Sequence, residues 1–244
     1  MKLSSPLVAA ILTAGFVATA AMADPAPGNL VVNGDFETLD QAVRDSFSAN
    51  GFYIIDPNGP YTAQAPGFNV NLTYNAIPAT FGWSVPENNV DLISNGAYAS
   101  FLGRGGDVVL DLVGVGSTGA ISQTFTTAAD RPHNVVIDFS RNGGLIDPIW
   151  AGDVKTADVL VNGTSIGTLN ATDAWQTFRG RFTGTGAPTL FTIRQTAGGG
   201  WAGVALDNII VTEVPEPATW MTTIFGFGLM GAMMRNRRRN SAVA

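Results

Sequence analysis

Between Leu30 and Val211 the apolar and β-branched residues fall in short runs bounded by glycine, proline, asparagine and aspartate, the spacing of strands rather than helices. The clearest run is Val135-Val136-Ile137-Asp138-Phe139-Ser140. Val135, Ile137 and Phe139 share one face there, and Asp138 and Ser140 take the other. Phe191 and Ile193 alternate with Thr192 and Arg194 in the same way. The pattern predicts strands over Leu30–Val32, Val90–Ile93, Val108–Leu112, Ile121–Phe125, Val135–Phe139, Val159–Val161, Ile166–Leu169, Trp175–Phe182, Leu190–Arg194 and Val204–Val211. Asn162-Gly163, set between Val159-Leu160-Val161 and Ile166, predicts a tight hairpin, because both residues accept the positive φ angles of its turn. No amphipathic helical period is evident. The segment from Leu39 to Gly82, with Tyr53, Tyr61, Tyr74 and four prolines but little periodicity, reads as a long loop or elaborated insertion.

Composition supports an all-β class. The 244-residue chain is 45% hydrophobic and only 13% charged, and 29 glycines and 13 prolines punctuate it. The net charge of −6 conceals an asymmetry. Lys2 stands in the N-terminal segment, and Arg235, Arg237, Arg238 and Arg239 crowd the C-terminus, so Asp24–Val214 holds 8 bases against 18 acids. Nucleic acid is an unsuitable partner for such a surface. With no cysteine, disulfides, thiolate metal sites and cysteine nucleophiles are excluded.

The two ends are specialised. Lys2, the apolar run Leu7–Ala20 and Ala21-Met22-Ala23 compose a signal peptide over residues 1–23, so the mature chain is expected to begin near Asp24. At the C-terminus, Val214-Pro215-Glu216-Pro217 precedes an apolar stretch and then the arginines. That order predicts a short transmembrane helix over residues 218–234, with the arginines on the cytoplasmic side and the β domain outside. Pro215, Glu216 and Pro217, the helix and the arginine cluster together resemble the PEP-CTERM sorting signal of Gram-negative bacteria. The resemblance implies that residues 214–239 are recognised by a membrane-embedded exosortase, cleaved near the Pro-Glu-Pro motif, and that the protein is released to the cell surface or the extracellular matrix.

A second resemblance covers the intervening domain, residues 24–213. Asn29-Leu30-Val31-Val32-Asn33-Gly34-Asp35-Phe36-Glu37 near its start and Gly203-Val204-Ala205-Leu206-Asp207-Asn208-Ile209 near its end resemble the bracketing motifs of galactose-binding-like modules. Gly82-Trp83, Val90-Asp91-Leu92-Ile93 and Val159-Leu160-Val161-Asn162-Gly163 are similar to choice-of-anchor families. The resemblance implies a jelly-roll β-sandwich, with residues 39–82 departing from the compact pattern. It also implies a structural calcium joining the first strand to the last through Glu37 and Asp207, since Ca²⁺ takes several oxygens and carboxylates with backbone carbonyls can supply them.

Sugar binding needs exposed aromatic rings beside polar groups. Trp150, in a turn-rich stretch, and Trp201, after three glycines, are the candidates, whereas Trp83 and Trp175 read as core. Gly114-Val115-Gly116-Ser117-Thr118-Gly119 matches a dinucleotide-binding glycine pattern, but Ile121–Phe125 reads as a strand where a nucleotide site needs a helix, so no nucleotide or redox cofactor is expected. The lone His133 and the absence of a nucleophile elbow or paired metal-spaced histidines argue against hydrolytic triads and zinc sites. The expectation is a non-enzymatic, exported carbohydrate-binding protein of the surface or biofilm matrix. A polysaccharide-active hydrolase and a purely structural adhesion module are the alternatives.

Overall fold

The computed structural model describes residues 28–65, 69–94, 108–142, 154–198, 200–215 and 217–240. The N-terminal signal segment lies outside them. The elements run α1 (Gln41–Asn50), β1 (Phe52–Ile55), β2 (Tyr61–Gln64), β3 (Asn71–Asn75), β4 (Ser84–Glu87), β5 (Val90–Ser94), β6 (Val108–Asp111), β7 (Ala120–Thr126), β8 (Pro132–Arg141), β9 (Lys155–Val161), β10 (Thr164–Ala171), β11 (Gln176–Thr183), β12 (Pro188–Ala197), β13 (Val204–Glu213) and α2 (Pro217–Asn240). The strands form two sheets. Eight are ordered β11-β8-β13-β6-β5-β1-β3-β2, and five are ordered β10-β9-β12-β7-β4. All pairings are antiparallel except β1 with β3.

The core lies between the sheets. Leu92, Leu110, Ile137 and Leu206 from the larger sheet meet Ile121, Val159, Leu169, Phe191 and Ile193 from the smaller, all buried. Trp83 joins them, as expected, its ring tilted against Phe36 and Phe191, and its indole N–H donates to the Asn33 carbonyl at 3.1 Å. The Asn162-Gly163 hairpin joins β9 to β10 with φ of 50° and 79°. The glycine-rich stretch after β6 is a turn entering β7.

Besides β4, which the pattern does not predict, three regions differ from the sequence expectation. Leu30–Val32 is not a strand. Its neighbour Asn29 makes one isolated bridge to Thr212, and the segment is held by hydrogen bonds to both sheets. Residues 39–82, expected as a loop or insertion, contain α1 and three strands of the larger sheet. The helix is short, with Val43 its buried residue, so no long apolar stripe announces it. Its ends are nevertheless encoded, since Asp40 accepts from the Val43 N–H at 3.1 Å, and Gly51, at φ 80°, returns its N–H to Phe47. Trp175, read as core, packs half-buried with Phe52 on Ile93, Val109 and Ala205, a cluster separate from the one between the sheets.

Gly34 lies against β13, and its carbonyl accepts the Ile209 N–H at 2.8 Å. A Cβ on Gly34 would lie 2.1 Å from the Ile209 carbonyl oxygen, a backbone atom that cannot swing aside. Gly34→Ala is expected to destabilise the domain by roughly 1–3 kcal/mol, read as a lower urea midpoint at unchanged slope.

Candidate functional site

The register of the larger sheet aligns one residue from each of seven strands. Tyr61 opposes Tyr74, Tyr74 opposes Ile54, Ile54 opposes Asp91, Asp91 opposes Asp111, Asp111 opposes Ala205, and Ala205 opposes Ser140. Their strand neighbours Ile55, Leu92, Leu110 and Leu206 belong to the core between the sheets, so strand alternation turns this row to the outer face. At about 4.8 Å per strand the row is roughly 29 Å long.

Its middle is sealed and polar. Asp111 is fully buried: Oδ1 accepts from the Val113 N–H at 2.8 Å, and Oδ2 accepts from the Gly203 N–H at 3.2 Å and from Asn142 Nδ2 in a shorter bond. Burial pushes the Asp111 carboxyl up to about 6, against the lowering effect of these donors and of the Lys155 charge. Asp91 is pushed well above the ordinary range by burial and by the Asp111 carboxylate, and its Oδ1 has no hydrogen-bond partner. Lys155, also fully buried, donates from Nζ to the Ala202 carbonyl at 2.6 Å. Two turns cover these groups. The Val115 N–H donates to Asn89 Oδ1 at 2.6 Å, and the Gly116 N–H donates to the Gly200 carbonyl at 2.7 Å, linking the turn after β6 to the one before β13. Trp201 follows that junction and packs half-buried with Val115 against Ile54 and Tyr74.

At its other end the row is open. Tyr61 stacks on Tyr74 with ring centroids 4.7 Å apart and planes 8° from parallel, and its hydroxyl donates to Asp56 Oδ2 at 2.8 Å. Partial burial and the Asp56 carboxylate push the Tyr61 hydroxyl up to about 12.

Trp201 lies on the outer face; Trp150 falls outside the described residues. Glu37 Oε1 accepts from the Val108 N–H at 3.0 Å. Asp207 is buried, its Oδ1 accepts from the Asn208 N–H at 2.7 Å, and its Oδ2 has no partner. Burial pushes Asp207 up to about 7; the Asn208 N–H opposes this, and the carboxylates of Glu37, Asp138 and Asp35 add to it. The orphaned oxygen in an acidic surrounding fits a cation, although among the described residues no group of three or more histidine, cysteine, aspartate or glutamate side chains is arranged to hold a metal. Tyr61, Tyr74 and Asp91 were not singled out as a site by sequence reasoning. Nothing in their local pattern shows that strand pairing aligns them.

At the C-terminus Pro215 is exposed, Glu216 falls outside the described residues, and Pro217 opens α2. Residues 213–239 match the family model of the PEP-CTERM protein-sorting motif. The chain carries a PEP-CTERM sorting signal. The expected transmembrane span over 218–234 is corrected by the hydropathy of this tail. No helix among the described residues is long and apolar enough to cross a membrane. The apolar stretch Met221–Met234 contains Thr222, Thr223, Gly226, Gly228 and Gly231 and rises only about 21 Å as a helix, against a hydrocarbon core of about 30 Å.

Similar solved structures include a family 16 carbohydrate-binding module (20% identity, TM-score 0.37, covering 51% of this chain and 85% of that one). The CBM22-1 xylan-binding domain from Paenibacillus barcinonensis shares 16% identity at a TM-score of 0.38, covering 56% and 88%. A family 35 carbohydrate-binding module from Clostridium thermocellum shares 13% at 0.37, covering 64% and 99%. No curated protein matches the chain.

The buried carboxyls set a pH dependence. Their folded-state pKa values exceed the ordinary 3.8, so the folded state holds more protons than the unfolded chain, and their contribution favours folding at low pH. That contribution is lost as pH rises from about 4 through about 6 for Asp111 and further for Asp91. Asp91→Asn is expected to flatten this decline and to stabilise the protein at pH 8 by roughly 1–3 kcal/mol, measured as thermal midpoints across pH 4.5–8.

Proposed function

We propose that this is an exported, non-catalytic carbohydrate-binding protein of a Gram-negative cell surface or extracellular matrix, delivered by its PEP-CTERM tail. The sorting motif supports the export route. It follows directly on the last strand, which ends at Glu213, and its first proline is exposed, so an exosortase would meet Pro215 at the surface. A short, glycine-containing helix backed by arginines suits brief engagement with the inner membrane before cleavage rather than a lasting anchor.

Sugar binding is supported by one observation, the aromatic surface at the open end of the outer-face row, where Tyr61 stacks on Tyr74 with its hydroxyl held by Asp56 and Trp201 packs beside Tyr74. Rigid aromatic surface beside a few fixed polar groups is what orients a polyhydroxyl ligand. The Asp91–Asp111 pair could suggest a hydrolase, but Asp111 is fully buried with both oxygens occupied by donors, which favours a supporting role over attack on a substrate. We further assign a structural calcium to Asp207 and Glu37, completed by backbone carbonyls. The unpartnered Asp207 Oδ2 and the surrounding carboxylates support it.

Two measurements test the reading. The full chain, purified in mild detergent, is expected to give saturable binding on a glycan array and to an exopolysaccharide pull-down, weakened about tenfold by Trp201→Ala. A blank array and pull-down would leave a structural matrix or adhesion protein. For calcium, chelation is expected to lower the thermal midpoint of the wild type and not that of Asp207→Asn; equal midpoints with and without chelator in the wild type would remove the ion.

A further inference from the structure

The open end of the outer-face row is built differently from its sealed middle. β2 is an edge strand, paired on one side only, with β3. Tyr61 is 40% exposed there, whereas Tyr74 beneath it is buried. One face of the Tyr61 ring is covered by Tyr74, and its hydroxyl is tied to Asp56, a buried carboxylate whose other oxygen takes the Asn58 N–H at 2.8 Å. The ring is thus fixed in plane and in rotation, with its second face toward the edge, so little side-chain freedom remains to be lost on binding. Ala63 and Leu72 share its face of the β2–β3 pair and pack with Tyr74, while Thr62, Gln64, Asn71 and Thr73 alternate to the other face.

Charge narrows what could sit there. No lysine or arginine occurs between Arg44 and Arg104, while Asp45, Asp56, Glu87 and Asp91 all fall in that interval. With 8 bases against 18 acids over Asp24–Val214, a polyanion approaching the domain would meet net like charge. A neutral sugar would meet an apolar ring with its hydroxyl fixed by Asp56, and an amino sugar would in addition be attracted.

We propose that Tyr61 is the stacking platform of a glycan subsite on the β2 edge, selective for neutral or amino-sugar polymers and closed to polyuronates. This deepens the carbohydrate-binding reading and rests on it. The subsite lies within residues 39–82, the segment that departs from the compact galactose-binding-like pattern, so the resemblance supplies no site at this place.

The test is titration calorimetry of the full chain at physiological salt with neutral β-glucan oligomers, chitosan oligomers and polygalacturonate, for the wild type, Tyr61→Ala and Tyr61→Phe. The expected result is wild-type binding to the neutral or amino oligomers and none to polygalacturonate. Tyr61→Ala should weaken affinity about tenfold and Tyr61→Phe by about two- to threefold, since the ring persists without its tether to Asp56. Unchanged affinity in Tyr61→Ala, or polygalacturonate bound as tightly as the neutral oligomers, overturns the subsite while leaving carbohydrate binding intact. Failure of the wild type to bind any glycan, here and on the array, overturns both. If Tyr61→Ala lowers the thermal midpoint markedly, Tyr61→Phe decides, and unchanged affinity there counts against the platform.

Discussion

No disulfide ties the two sheets, and beside the apolar core packed between them the segment Asn29–Glu37 holds them together by hydrogen bonds. Asn29 Oδ1 accepts the N–H groups of Val31 and Val211, Leu30 donates to the Val211 carbonyl, and Ile209 donates to the Gly34 carbonyl, fastening the segment to β13. On the other side the Gln123 amide, from β7 of the smaller sheet, exchanges bonds with both the N–H and the carbonyl of Val32 and also donates to the Gly82 carbonyl. One irregular segment therefore laces β13 of the larger sheet to β7 of the smaller and carries Phe36 into the core. The pairing of β13 with β8 shifts register between Asp207 and Ile210, where Asn208 takes a φ of 49°. That irregularity frees β13 backbone groups for the N-terminal segment and sets the Asp207 carboxyl among the acids of Glu37, Asp35 and Asp138.

The same economy of polar contacts governs the outer face. A carboxylate buried as deeply as Asp111 is tolerable only with donors on both oxygens, and those donors come from the turns after β6 and before β13 and from the end of β8. Satisfying one charge thus fixes two turns, and the turns in turn position Trp201 over Ile54 and Tyr74. Asp91 stands outside this arrangement with Oδ1 unpaired, and burial together with the Asp111 carboxylate favours its protonated form. Stability and recognition are coupled here, since the groups that seal the middle of the sheet also shape its aromatic flank.

Much of this was legible in the sequence. Nine of the ten predicted runs are strands, because period-two alternation is a local consequence of burying one face of a strand, and the Asn162-Gly163 hairpin is specified by φ preferences alone. The sorting motif was equally plain, being read as contiguous sequence. Residues 39–82 were harder. Their strands are short, partly exposed and interrupted by prolines, so Tyr61–Gln64 and Asn71–Asn75 show no alternation strong enough to declare themselves. The tail differs from the expected short span because its run, though apolar, is too short and too rich in glycine to cross a membrane.

What the sequence determined by itself was therefore whatever depends on neighbours along the chain: the strand periods, the turn, the helix caps at Asp40 and Gly51 and the sorting signal at the end. Only the tertiary structure decided that β5 pairs with β6 in the register that sets Asp91 beside Asp111, and that β1, β2 and β3 extend the same sheet to bring Tyr61 and Tyr74 into line with them. A one-residue slip in any of those ladders would leave every local pattern intact and turn the row's side chains into the core, because register is fixed by burial across strands far apart in the chain and not by the residues of any one of them.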